Sequence, residues 1–131
     1  MSNMTKDRRN LEEILQSTSD TLFPAELGQK HVKLNSIDCD GDTPLHVMVW
    51  RADRYAVDLL ISSGADVNAI GDMSTTPLHV AISKEDKHII ESLLKAGART
   101  DIRSRFNETA MEKAAKSGAL IEALVKKYVG N

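Results

Sequence analysis

Apolar residues recur along the chain at helical spacing, and the pattern returns. Val57, Leu60 and Ile61 fall at i, i+3 and i+4, as do Ile90, Leu93 and Leu94, so each set lines one face of a helix. Gly64 and Gly97 follow these sets and supply the left-handed backbone on which helices commonly end. Ahead of each set, Thr43-Pro44-Leu45 and Thr76-Pro77-Leu78 announce another helix. The threonine hydroxyl accepts from a free backbone N–H, and proline at the first helical position gives up a donor that had no partner. Upstream, Leu11, Ile14 and Leu15 form a further helical stripe with Thr5 or Asp7 as its cap, and Leu22 to Leu27, holding Phe23 and Pro24, predict a short second helix.

These pairs keep a fixed register. Thr43-Pro44-Leu45-His46 returns as Thr76-Pro77-Leu78-His79, and Thr109-Ala110-Met111-Glu112 is a weaker copy after the same interval again. The stretch from Leu59 to Asn68 is echoed at that interval by Ser92 to Asp101, and Asn35 extends the register upstream of Asn68. The unit is a helix, a turn, a helix and an extended segment, Ala65 to Asn68 in the first copy, leading into a tight turn of the kind near Asp40-Gly41. No single unit buries its own stripe, so neighbours must stack.

Gly-Asp-Thr-Pro-Leu-His, Gly-Ala-Asp-Val-Asn-Ala and the ~33-residue period resemble the ankyrin-repeat family over roughly residues 32 to 128. The resemblance implies an all-α solenoid of helix–turn–helix units with short hairpin turns. Residues 1–36 are then an N-terminal cap repeat, 37–69 and 70–102 full repeats, and 103–131 a C-terminal cap repeat. The last copy departs from the pattern. Leu124 follows Thr109 two positions sooner than Leu60 follows Thr43 or Leu93 follows Thr76, so this copy is shortened between its helices. Lys126 and Lys127 suit a solvated outer helix. The turn glycine Gly41 becomes Ser74 and Asn107, and asparagine tolerates positive φ better than serine, which predicts an altered middle turn.

Composition removes several function classes. The chain of 131 residues is 41% hydrophobic and 27% charged, ordinary for one globular domain, and its formal net charge of -2 offers no field for nucleic acid or an acidic membrane. The longest apolar run, Val47 to Trp50, falls far short of the ~20 residues that span a bilayer. One cysteine, Cys39, and an opening without the apolar stretch of a secretory leader predict a reducing, cytoplasmic setting.

Candidate chemistry is thin. In the resemblance, His46 and His79 are structural, tying the turn to the helix start, and not catalytic. His31 and His88 have no partner at zinc-ligand spacing. Asp38, Asp40 and Asp42 imitate the opening of a calcium loop, but Thr43 and Val49 stand where its sixth and twelfth positions need Gly and Glu. Cys39 has acidic neighbours that disfavour a thiolate, and no phosphate loop or nucleophile elbow appears. The expectation is a monomeric non-enzyme without metal or cofactor.

By resemblance, partners of this fold lie against the turn tips and the first helices. That places Ile37, Cys39, Asp40, Asp42, Trp50 and Arg51 on a first rung, Ile70, Asp72, Met73, Thr75, Ser83 and Lys84 on a second, and Arg103, Arg105, Phe106, Glu108 and Lys116 on a third. Three aspartates at one end and Arg99, Arg103 and Arg105 at the other predict a groove that runs from acidic to basic. Trp50 fits two placements: an exposed anchor beside an arginine, or packing over the N-terminal cap, since Met48 stands where this inner helix usually carries a small residue. The expected partner is another protein, bound as a scaffold or neutralised by an inhibitor, antitoxin or immunity-type action. A nucleic-acid reader is supported only by the arginine cluster, and an enzyme only by His46, His79 and the aspartates.

Overall fold

The computed structural model describes residues 7–129. Its helices are α1 (Leu11–Gln16), α2 (Ser19–Leu22), α3 (Pro44–Trp50), α4 (Arg54–Ser62), α5 (Pro77–Lys84), α6 (Lys87–Lys95), α7 (Ala110–Lys116) and α8 (Ala119–Val129), with 3-10 turns at Pro24–Glu26 and Asp72–Ser74. No strand forms among the described residues; an isolated antiparallel bridge joins Arg103 and Thr109.

Each Thr-Pro start behaves as its chemistry requires. Thr43 and Thr76 accept from the N–H of His46 and His79 at 3.3 Å, and Thr109 accepts from Glu112 at 3.1 Å. The second helices begin on aspartate caps the sequence pattern did not single out: Asp53 accepts from Ala56 and Asp86 from Ile89. Gly64 and Gly97 close these helices at φ 102° and 95°.

Pairs α3/α4, α5/α6 and α7/α8 form helical hairpins stacked in two layers, α3 on α5 on α7 and α4 on α6 on α8. The core lies between the layers, where Leu45, Met48, Val49, Leu60, Leu78, Ile82, Ile90 and Leu93 are sealed from solvent. Met48 is thus a core residue. Asparagine side chains fasten the extended segments, Asn35 accepting from Asp66 N–H and Asn68 from Arg99 N–H.

The N-terminal segment departs from the expected plan. The cap of α1 is Asn10, in a reciprocal box with Glu13, in place of Asp7; Thr5 lies outside the described residues. The helix expected from Leu22 to Leu27 is divided into α2 and a 3-10 turn, because Pro24 cannot donate to a continuing helix. Furthermore, α1 packs on α4 and α2 on α3, the reverse of the order inside the later hairpins. Arg9 joins this segment to α4 through an ion pair with Asp53 at 2.7 Å.

At the other end, Val125 is sealed from solvent while Leu124 is half-buried, so Val125 takes the place of Leu60 and Leu93. Measured from Thr109 to Val125, the copy is shorter than its predecessors by one position, instead of the two implied by Leu124. The missing residue is the aspartate cap: Ala52, Glu85 and Gly118 hold the same left-handed turn position, but α8 starts directly after Gly118.

Candidate partner-binding groove

The hairpin turns between units project beside the inner helices. Each is closed by one backbone bond in register: Asp38 N–H to Asp42 O, Gly71 N–H to Thr75 O, and Ser104 N–H to Glu108 O, at 3.0, 2.8 and 3.0 Å. Gly41 and Asn107 carry the left-handed residue of the outer two turns, whereas in the middle turn both Met73 and Ser74 have positive φ, 56° and 58°. The altered middle geometry expected from Ser74 is present, and it re-aims Met73, which is 41% exposed.

His46 and His79 link one unit to the next. Nδ1 of His46 accepts from Thr43 N–H, so its proton sits on Nε2, which donates to Thr75 O at 3.1 Å. His79 repeats the arrangement with Thr76 N–H and Glu108 O. Burial, the largest influence, holds both imidazoles below the ordinary histidine value of about 6.5. Both nitrogens of each ring are committed, leaving neither free as a general base. Glu112 occupies the corresponding position in the last copy, accepting from Thr109 N–H and from Arg103.

Tight approach also shapes the first two tips. A side-chain carbon on Gly71 would collide with the Asp42 carboxylate and meet His46 Nε2 at 2.8 Å. Asp42 accepts from Asp72 N–H at 2.9 Å, and Asp38 accepts from both Asp40 N–H and Asp42 N–H at 2.9 Å. These carboxylate oxygens turn toward backbone donors instead of a shared centre. No group of three or more His, Cys, Asp or Glu among the described residues is arranged to hold a metal ion.

Inner helices and tips enclose a groove of about 580 Å³ that brings together Asp42, Trp50, Arg51, Asp72, Met73, Thr75, Phe106 and Glu108 from the expected site, with Ser83. Val47 and Val80 line it, and so do Thr21 of α2 and Lys113 of α7, which the repeat register did not single out. Ile37, Cys39, Asp40, Ile70, Lys84, Arg103 and Arg105 lie outside this lining, all of them exposed.

Trp50 is 63% exposed, and Lys84 stands over its ring at 4.6 Å. The placement over the N-terminal segment belongs to its neighbour instead: Arg51 donates to Ser17 O at 3.2 Å and Thr21 Oγ1 at 3.0 Å. Arg51 is thereby a structural tie as well as a groove residue. Phe106, 65% exposed, borders the far end of the groove.

The expected gradient from acidic to basic is weakened at its basic end, where Arg105 alone of the three arginines has no acidic partner among the described residues. Arg99 is paired with Asp101 and Arg103 with Glu112, while Lys113 and Lys116 flank Glu108 and hold its carboxyl below the usual range. Asp101 lies two residues from Arg99, whereas the partner of Arg103 lies on the following helix, where linear charge order did not reveal it. At the acidic end, Asp72 foremost, then burial and the charges of Asp38 and Asp42, raise the Asp40 carboxyl above its ordinary value.

A family model described as "Ankyrin repeats (3 copies)" matches residues 53–130, more than half of the chain. The chain belongs to the ankyrin-repeat family. Ankyrin repeats are in general protein–protein interaction modules, a non-enzymatic fold. A search of curated proteins finds no match. The first ankyrin motif, Thr43 to His46, precedes the matched span but forms the same capped helix as its successor. No helix among the described residues is long and apolar enough to cross a membrane.

Proposed function

We propose that this ankyrin-repeat chain binds a partner protein along the groove between its turn tips and inner helices. The observation that carries the reading is the convergence of three exposed apolar side chains, Trp50, Met73 and Phe106, on one concavity beside charged groups. Clustered, accessible aromatic residues on a rigid support are what interface hot spots are made of. The rigidity comes from the His46 and His79 ties, which fix successive tips before anything binds. The exposed acidic tip favours, as a second reading, neutralising a partner by covering a positively charged surface. The exposed, unpaired Cys39 fits a reducing compartment such as the cytoplasm.

Affinity capture with the whole chain tests the groove. Wild type retains a partner that Trp50→Ala and Phe106→Ala lose, while Leu120→Ala, an exposed apolar residue on the outer helix α8, retains it. Loss with Leu120→Ala but not with the two groove variants would move the interface to the outer layer.

A further inference from the structure

Building on the reading of this groove as the binding surface, we infer that its occupant is a partner segment carrying a lysine or arginine beside an apolar side chain. The cation sits at the acidic rim, where Asp42 and Asp72 line the groove and Asp40 lies within the field of Asp72, and the apolar group lies against Val47, Val80 and Phe106.

The charge pattern selects this chemistry. Among the other residues lining the groove the charged groups are already engaged, Arg51 by the N-terminal segment and Glu108 by Lys113 and Lys116; Lys84 stands over Trp50, and Arg105, outside the lining, lies toward the far end. Among the described residues, no cation pairs with Asp38, Asp40, Asp42 or Asp72. The Asp42 bond to Asp72 N–H holds the first two tips together, so their carboxylates are presented as a fixed group. A partner covering them without a counter-charge would strip water from mutually repelling anions, which is strongly unfavourable. A cationic side chain removes that penalty and steers the approach. Anionic occupants, nucleic acid and acidic lipid surfaces alike, meet repulsion at the same rim.

The apolar half follows from the floor. Val47 and Val80 occupy the same position in successive inner helices, and Phe106 closes the row. A groove of about 580 Å³ lies within the ~300–1,000 Å³ span of ligand pockets. It therefore holds a few side chains of a segment, with no need for a whole domain to enter. The cation and the apolar anchor must be near neighbours in the partner, because the acidic rim and the apolar floor belong to one concavity.

The test is selection from a displayed library of random dodecapeptides on the full chain, followed by affinity measurement of the enriched peptides as soluble molecules. We expect enriched sequences with a lysine or arginine close to an aromatic or large aliphatic residue, and affinities that fall as salt is raised. The double variant Asp40→Asn/Asp72→Asn weakens them roughly tenfold or more, a loss consistent with charge pairing at the rim. Because it removes like charges, this variant melts no lower than wild type, which separates lost binding from lost folding. Peptides without a cation, or indifferent to the double variant, yet sensitive to Trp50→Ala and Phe106→Ala, would overturn the charge inference and leave the groove assignment standing. Peptides insensitive to all of these substitutions, or no enrichment at all, would overturn both.

Discussion

His46 Nε2 donates to the carbonyl oxygen of Thr75, in the turn of the following unit, at 3.1 Å. The bond joins the first helix of one unit to the turn of the next and needs the proton on Nε2, while the Thr43 N–H bond to Nδ1 needs that nitrogen unprotonated, so the two together call for a neutral ring. His79 and Glu108 repeat it one unit later.

Protonation therefore weakens the stack. Burial lowers both folded pKa values, so in the window below about 6.5 the unfolded chain binds more protons than the folded one. The contribution is fully present above that value and is lost as pH falls toward the lowered folded pKa values. Protonating Nδ1 also sets a donor against the Thr43 or Thr76 N–H. Denaturant midpoints measured at pH 7.5 and pH 5.5 should fall on acidification, and by less in His79→Gln than in wild type. Equal midpoints at the two pH values would discard the tie as a source of pH dependence.

Gly71 is required for space, unlike most of the turn glycines. Its backbone is not left-handed, yet an added carbon meets both the Asp42 carboxylate and the His46 ring. Gly71→Ala is expected to destabilise by about 2 kcal/mol through this crowding. Gly97 has open space around it but a φ of 95°, so Gly97→Ala is expected to lose roughly 1 kcal/mol through backbone strain alone. Thermal or chemical denaturation of the two variants gives the order, and a milder effect at Gly71 would contradict the packing seen at the tip.

Arg51 and Trp50 are neighbours in the chain with opposite duties. Arg51→Ala removes the bonds to Ser17 O and Thr21 Oγ1 and is expected to lower stability by about 1 kcal/mol. Faster amide exchange should accompany it in α1 and α2. Trp50→Ala, at an exposed site, should change stability by less than about 0.5 kcal/mol. Emission of the single tryptophan should resemble that of a solvated indole. A strongly destabilised Trp50→Ala with blue-shifted wild-type emission would place the ring in the core.

Much of the fold was legible because it is local and repeated. Thr43-Pro44 and Thr76-Pro77 mark helix starts through caps built within one turn, and Gly64 and Gly97 mark ends through backbone conformation. The repeating register then implies stacking, since no pair of helices covers its own apolar face. The N-terminal segment was less legible because it follows no register: Asn10 was passed over as a cap, and the order in which α1 and α2 meet the stack depends on packing against α4 and α3.

The candidate groove divides along the same line. Sequence by itself determined the register that sets Trp50 and Ser83 at the same place in successive inner helices, although Val47 and Val80, at the same spacing, were not singled out from it. Only the tertiary structure decided which of those groups are free. Arg51 is drawn to the N-terminal segment, Lys84 to Trp50, Arg103 to Glu112 and Lys113 to Glu108, while the aspartates of the first two tips are left facing one another. Such pairings are set by which turn and which helix the stack brings within a few ångströms, and Coulomb interactions at that range outweigh any field read from linear charge order.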